Sequence, residues 1–293
     1  MKDYIFKKEQ WFFEKEKNEE LGLKTAIKIE KKIYFEKTPF QDILVLDTKP
    51  YGRTLILDGY IQLTEKDEFI YHEMITHPVL FSHPAPKTIL IVGGGDGGTL
   101  REVLRHNIKR VFLCEIDKRV IEISKKYLPF LSQGSFRSKK LSIFIKNGLE
   151  FIKKFKNFFD IIIVDVNDPE NFQSQVSNFF NINFLADSFY ALKSNGLISI
   201  QSGYLKESFF KICFLNIKKI FPFVKVHRAF ISCFPEDEHA FIIGSKKINL
   251  DKINLRILKK RFNKLEKKLN YYSPEIHLAS SILPQHIKNK LDL

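Results

Sequence analysis

Hydrophobic and polar positions along this chain change rhythm near residue 65. Before it, short apolar or alternating segments (Thr25-Ala26-Ile27-Lys28-Ile29, Ile33-Tyr34-Phe35, Asp42-Ile43-Leu44-Val45-Leu46, Thr54-Leu55-Ile56-Leu57) are separated by turn formers such as Lys49-Pro50-Tyr51-Gly52 and Asp58-Gly59. Segments of that length between such turns predict a small antiparallel sheet. Thr64-Glu65-Lys66-Asp67 has capping-box spacing and predicts a helix through Phe69, Ile70, Met74 and Ile75. From about residue 84, strands are predicted at 88–92, 111–114, 141–145, 159–164 and 197–201, with helical segments between them. That alternation implies a parallel sheet covered on both faces. A helix at about 207–220 and two further strands, at 224–230 and 240–244, close the pattern as a hairpin.

The expected class is therefore α/β. Residues 65–293 should form a Rossmann-like sheet of the methyltransferase type, mostly parallel with a C-terminal antiparallel hairpin, and residues 1–64 a small N-terminal antiparallel β domain. At 293 residues and 44% hydrophobic content, the chain can bury one large core. No stretch approaches the roughly 18 apolar residues of a membrane span. Met1-Lys2-Asp3-Tyr4-Ile5-Phe6-Lys7-Lys8 is too charged for a signal peptide, so the cytoplasm is the expected location. Cys114, Cys213 and Cys233 have no metal-ligand spacing and read as small buried hydrophobes. A net charge of +14 raises the question of nucleic acid, but the lysines are scattered as pairs along the whole chain, which is the pattern of solvated faces. Neither nucleic acid nor membrane is expected as a partner.

The candidate chemistry begins at Gly93-Gly94-Gly95-Asp96-Gly97-Gly98, between the apolar run Thr88–Val92 and the helical segment Thr99–Leu104. Strand, glycine turn and helix form the context of a dinucleotide-type loop, and Glu115 follows 22 residues after Gly93 (115 − 93), where an acid can bond ribose hydroxyls. Asp96, however, would repel a pyrophosphate at the helix start. A nucleoside that carries positive charge, or lies beside one, resolves the conflict. The ends of the predicted strands collect Asp96, Glu115, Asn147-Gly148, Asp165 and Gln201, and Asp168 stands three residues after Asp165. Each also has an ordinary reading: Asp168 as a turn former before Pro169, Asp96 as a partner of its own loop. A carboxylate that ends a buried strand, as Asp165 does, must be solvated, paired or used. Three acids in one crevice call for a cation, and with no histidine at ligand spacing an organic ammonium suits them better than a metal. His72, beside Tyr71 on the helix that borders the crevice, reads from sequence alone as a packed or surface histidine.

Taken together, several motifs resemble the spermidine synthases, the polyamine aminopropyltransferase family. They are Gln41-Asp42-Ile43, the run from Leu57 through Gln62, Tyr71 and His72 to Met74, the glycine loop with Leu100-Arg101-Glu102-Val103, Cys114-Glu115-Ile116-Asp117, Asp165-Val166-Asn167-Asp168-Pro169, and Tyr271–His277 with Leu283-Pro284. The resemblance runs from about Trp11 to the end. It implies aminopropyl transfer from decarboxylated S-adenosylmethionine to putrescine, releasing spermidine and methylthioadenosine, with no metal and no resident cofactor. It assigns Gln41, Gly93, Gly95, Glu115, Asn147, Gly148 and Phe172 to the donor nucleoside. Gln62, Tyr71, His72, Asp96, Asp165, Asp168 and Phe234 fall to the polyamine, with Asp165 as catalytic base. It also implies a homodimer or dimer of dimers that uses the N-terminal sheet. Three departures stand out. Asn147 replaces an aspartate, Phe234 replaces a tyrosine that contacts the amine, and the loop after Pro169 is altered and a few residues longer, up to Phe179-Phe180. The rival readings are a methyltransferase using S-adenosylmethionine itself and a non-catalytic polyamine or RNA binder.

Overall fold

The computed structural model describes residues 5–6, 10–15, 24–168, 174–266 and 268–293. The first sheet is an antiparallel meander whose six strands follow chain order: β1 (Ile5–Phe6), β2 (Trp11–Phe13), β3 (Ala26–Lys37), β4 (Asp42–Thr48), β5 (Gly52–Leu57) and β6 (Tyr60–Thr64). The segments expected as two strands, 25–29 and 33–35, merge into β3. The charged residues between them still pair, Lys31 with Asp47 and Lys32 with Leu46, with a shift of register on either side, because exposed side chains do not by themselves end a backbone ladder. Residues 60–64 are a further strand, reached through Asp58 and Gly59, both at positive φ, as a tight hairpin turn of this hand requires.

The first helix, α1 (Glu68–Ser82), starts later than the capping-box spacing predicts. Thr64 ends β6 and donates to Asp67 Oδ1 (2.6 Å), while Asp67 Oδ2 accepts from Ser232 Oγ (2.7 Å) and the Cys233 amide (2.8 Å). A tertiary tie has taken the groups that a cap would have used.

The second sheet contains β7 (Thr88–Gly93), β8 (Arg110–Glu115), β9 (Leu141–Ile145), β10 (Phe159–Asp165), β11 (Leu192–Tyr204), β12 (Phe223–Ala229) and β13 (His239–Ser245), in the order β12-β13-β11-β10-β7-β8-β9. Neighbours from β11 to β9 are parallel, and β13 is antiparallel to both β11 and β12. The parallel strands and terminal hairpin agree with the predicted pattern. The connecting helices are α2 (Gly98–Leu104), α3 (Lys118–Tyr127), α4 (Pro129–Ser132), α5 (Gly148–Ile152), α6 (Ile182–Ala191) and α7 (Ser208–Ile220), followed by α8 (Leu255–Phe262), α9 (Pro274–Ser280) and α10 (Gln285–Leu291).

Ile89, Ile91, Ile161 and Ile163 enter the core beneath α1 and α2, whereas Leu90, Val92, Ile162 and Val164 enter the one beneath α5, α6, α7 and α10. Burial on both faces explains why these strands read as continuous apolar runs. The first sheet adds Leu44, Leu46 and Ile56 to the α1 side and packs Ile43, Val45 and Leu55 against α3 and α4. Strand order reverses between β7 and β10, which opens a crevice at their carboxyl ends, where Asp165 pairs in register with Gly93.

Candidate active site

The loop after β7 must cross the end of β10 at contact distance. Gly93 has φ 79°, and a Cβ there would lie 2.0 Å from the Asp165 carbonyl oxygen; the Gly94 amide donates to that same oxygen at 2.8 Å. Only glycine fits at Gly93. Asp96 then turns back on the start of α2, where its Oδ1 accepts from the Gly98 amide (2.7 Å) and faces His72 Nε2 (3.2 Å). The loop thus supplies its own anion at the place where a phosphate would otherwise sit. Burial pushes the Asp96 carboxyl up, but the charge of His72 and the Gly98 amide outweigh it and hold the group below the usual range.

Asp165 lies at the crevice floor. Its Oδ1 accepts from the Tyr71 hydroxyl (2.7 Å) and its Oδ2 from Thr99 Oγ1 (2.6 Å). Burial first, and then the charge of Asp96, raise its pKa; His72, Thr99 and Tyr71 oppose the rise without cancelling it. The Tyr71 hydroxyl is pushed well up by burial and by Asp165, with Asp168 and Asp96 adding to it. The Asp168 carboxylate lies beside Gly203, close enough that a Cβ on that glycine would sit 3.6 Å from Oδ1. Tyr71 packs edge-on to His239 (5.5 Å between centroids) and Phe241 (5.4 Å), and Phe234 reaches the group through His239 at 5.7 Å. The fold therefore gathers Asp96, Asp165, Asp168, Tyr71 and His72, with Phe234 at the margin. Gln62 is on β6, where its amide donates to the Tyr60 carbonyl (3.3 Å).

A second group forms around Glu115, the last residue of β8. It is buried, its Oε1 accepts from the Asp117 amide (2.9 Å), and its Oε2 lies 2.8 Å from where a Cβ of Gly95 would be. Burial drives its pKa up to about 7 against the pull of the Asp117, Ile116 and Gly95 amides. The first sheet reaches the same corner: Thr38 Oγ1 and Gln41 Nε2 donate to Asp117 Oδ2 at 2.8 and 3.2 Å. Asn147 caps α5, accepting from the Leu149 amide through Oδ1 (2.9 Å), and Gly148 lies against Val92. Phe172 falls outside the described residues. Gln201 is engaged structurally, donating to the Val166 carbonyl (2.7 Å) and accepting from the Gly203 amide (3.0 Å).

Sequence reasoning missed Thr99, Glu68 and His239 as neighbours of this crevice. Glu68 carried one usable signal, its position four residues before His72 on a helix, where side chains meet. Thr99 and His239 become neighbours only through strand order and carried none.

A parallel sheet of this order, with an acid at the end of β8 and an acidic crevice at the switch point, defines a Rossmann-like enzyme of the methyltransferase type. Within that class the chain belongs to the spermine/spermidine synthase family. Residues 68–254 match the model described as "Spermine/spermidine synthase domain" and residues 10–65 the "Spermidine synthase tetramerisation domain". The polyamine aminopropyltransferase of Thermoanaerobacter sp. (strain X514) is 39% identical over 97% of this chain and 99% of the relative. That of Thermotoga petrophila is 40% identical over 97% and 94%. A solved spermidine synthase in complex with the transition state analogue AdoDATO superposes with TM-score 0.90 at 35% identity, covering 99% of this chain and 97% of that one. The spermidine synthase from Thermotoga maritima gives 0.88 at 35% identity with the same coverage. The chain is an enzyme of aminopropyl transfer in polyamine biosynthesis. Among the described residues no helix is long and apolar enough to cross a membrane, and no group of three or more His, Cys, Asp or Glu could hold a metal ion.

Proposed function

We propose that the enzyme transfers the aminopropyl group of decarboxylated S-adenosylmethionine, a co-substrate, to putrescine, giving spermidine and methylthioadenosine. One observation carries this reading. Asp165, with its pKa raised and its rotation fixed by Tyr71 and Thr99, stands beside Asp96 at the switch point, across the glycine loop from Glu115.

In this reading Glu115 accepts from the ribose hydroxyls, with Gln41, Gly93, Gly95, Asn147, Gly148 and Phe172 around the nucleoside. Asp96 and Asp168 neutralise the diamine, while Gln62, Tyr71 and Phe234 line its path. His72 has both ring nitrogens on carboxylates and so contributes charge instead of binding the amine directly.

A primary alkylammonium, with a pKa near 10.4, costs roughly 4–5 kcal/mol to deprotonate at pH 7, so a positioned acceptor is required. Asp165 takes that proton. The freed nitrogen lone pair attacks the propyl carbon bonded to the sulfonium, the carbon–sulfur bond breaks, and its electron pair returns to sulfur as the neutral thioether. Positive charge moves from sulfur to nitrogen within the acidic crevice. Alignment of nitrogen, carbon and sulfur supplies much of the remaining acceleration.

A methyltransferase using S-adenosylmethionine itself would have to place the donor's carboxylate near these acids, which repel it. Incubation with putrescine and either donor, read by mass spectrometry, separates the two. Methylthioadenosine from the decarboxylated donor is expected; S-adenosylhomocysteine from the other would overturn the reading, and no turnover would leave a binding protein. Asp165→Asn should lower transfer at least 10²-fold and retain methylthioadenosine binding. We further propose a cytoplasmic homodimer or dimer of dimers joined through the first sheet, and a division into residues 1–64 and 65–293.

A further inference from the structure

Behind the carboxylates runs a buried line of charges that the reaction steps above do not use. Asp96 Oδ1 faces His72 Nε2 (3.2 Å), and His72 Nδ1 faces Glu68 Oε2 (2.6 Å), one turn back on α1. Glu68 accepts from Arg101 through both oxygens, at 2.9 Å each, and Arg101 Nε donates to Glu102 Oε1 (2.5 Å). The side chains of His72, Glu68, Arg101 and Glu102 are 2%, 8%, 6% and 0% exposed, and charges so deep persist only when paired. Signs alternate along the line. Because Arg101 does not give up its proton, the line is an electrostatic brace and not a proton wire.

His72 is the link to the site. An ionised carboxylate only accepts hydrogen bonds, so a ring with a carboxylate on each nitrogen must carry hydrogen on both. The charged groups facing it are Glu68 from its own helix, Asp96 from the glycine loop and Asp165 from β10; Arg101, from α2, stands behind Glu68. Burial works against the cation, yet Asp96 and Glu68 push its pKa up to about 10. The consequence falls on the two crevice acids. Neighbouring carboxylates in a buried site tend to share one proton, which would block the base. The charge of His72 acts on both Asp96 and Asp165 in the opposite direction.

We propose that Glu68 is a positioning residue which, by holding His72 as an imidazolium, keeps Asp96 and Asp165 both ionised and ready for a cationic amine. This rests on the reading of the crevice as the amine site. Backing by Arg101 fixes Glu68 as the carboxylate, and both anchors of Asp96 fall on Oδ1, which sets its rotation.

The test reads ring protonation and pH dependence separately. Nitrogen-15 shifts of the His72 ring in the unmodified protein at pH 8 should report two protonated nitrogens; in Glu68→Gln the ring should be neutral at that pH. The acid limb of kcat/KM for putrescine should move up by at least one pH unit in Glu68→Gln, with methylthioadenosine affinity unchanged. A purely structural role would leave the limb where it was. A neutral ring in the unmodified protein overturns the proposal, as does an unmoved limb in a folded Glu68→Gln. If that variant does not fold, the unmodified ring decides alone. Absence of any transfer to putrescine would instead refute the amine-site reading, and the ring shifts would still report whether Glu68 holds the imidazolium.

Discussion

Glu115→Gln should make the protein more stable and a poorer enzyme. Glu115 is buried at the end of β8, and burial raises its pKa from 4.5 to about 7. The native state therefore holds the Glu115 proton more tightly than the unfolded chain. The penalty for ionising this side chain is absent below pH 4.5, grows between 4.5 and 7, and is complete above 7. A shift of that size amounts to about 3 kcal/mol at 1.36 kcal/mol per pH unit. Glutamine keeps the shape and removes the charge, but its NH2 cannot accept from the backbone amides that point at the carboxylate, a loss of about 1 kcal/mol. The net gain at pH 8 is about 2 kcal/mol, or roughly 3 °C in melting temperature at about 2.1 cal/mol/K of unfolding entropy per residue. Melting curves at pH 8 and pH 5 check the sign, because the gain should shrink towards zero at the lower pH. Calorimetry with methylthioadenosine checks the function: loss of a charge-assisted acceptor for ribose costs about 1.5–3 kcal/mol, roughly 10- to 150-fold in affinity. A variant that is less stable at pH 8, or equally stabilised at both pH values, would refute the account of Glu115 as a costly buried acid. Undiminished nucleoside affinity would refute its assignment to the ribose.

Other perturbations probe the amine side. Thr99→Val removes the donor to Asp165 Oδ2 at nearly constant volume; a hydrogen bond to a carboxylate is worth about 1.5–3 kcal/mol, so the acid limb of kcat/KM for putrescine should rise by one to two pH units. An unmoved limb would show that Thr99 does not tune the base. Gly98→Ala places a methyl 2.4 Å from the His72 ring, which cannot retreat without leaving Glu68 or Asp96. About 1–3 kcal/mol of stability should be lost, together with amine affinity but not nucleoside affinity, as read by melting and by KM for each substrate. Phe234→Tyr restores a hydroxyl beside His239 and should lower KM for putrescine several-fold; parity with the parent would count against a polar role for that position.

The local sequence determined more of this protein than its glycine loop and crevice acids alone suggest. Apolar runs set the parallel strands, because strands buried on both faces have no polar alternation to blur them. The spacing from Gly93 to Glu115 and the acid at the end of β10 marked the crevice, because a strand's last residue is placed by the strand itself. Misreadings fell where a distant partner decided the outcome. The charged stretch inside β3 looked like a break until β4 paired with it, and the capping box at Thr64 gave way to the grip of Asp67 on residues 232–233. Tertiary structure alone decided the electrical state of the site. Asp96 read as an objection to a phosphate, and only the packing of α1 against the glycine loop shows it anchored to the Gly98 amide and His72, with Glu68 and Arg101 behind. Thr99 and Asp165 are 66 residues apart in the chain and 2.6 Å apart in space. Charge interactions fall off with distance through a low-dielectric interior, so they follow the fold's geometry and cannot be read from order along the chain.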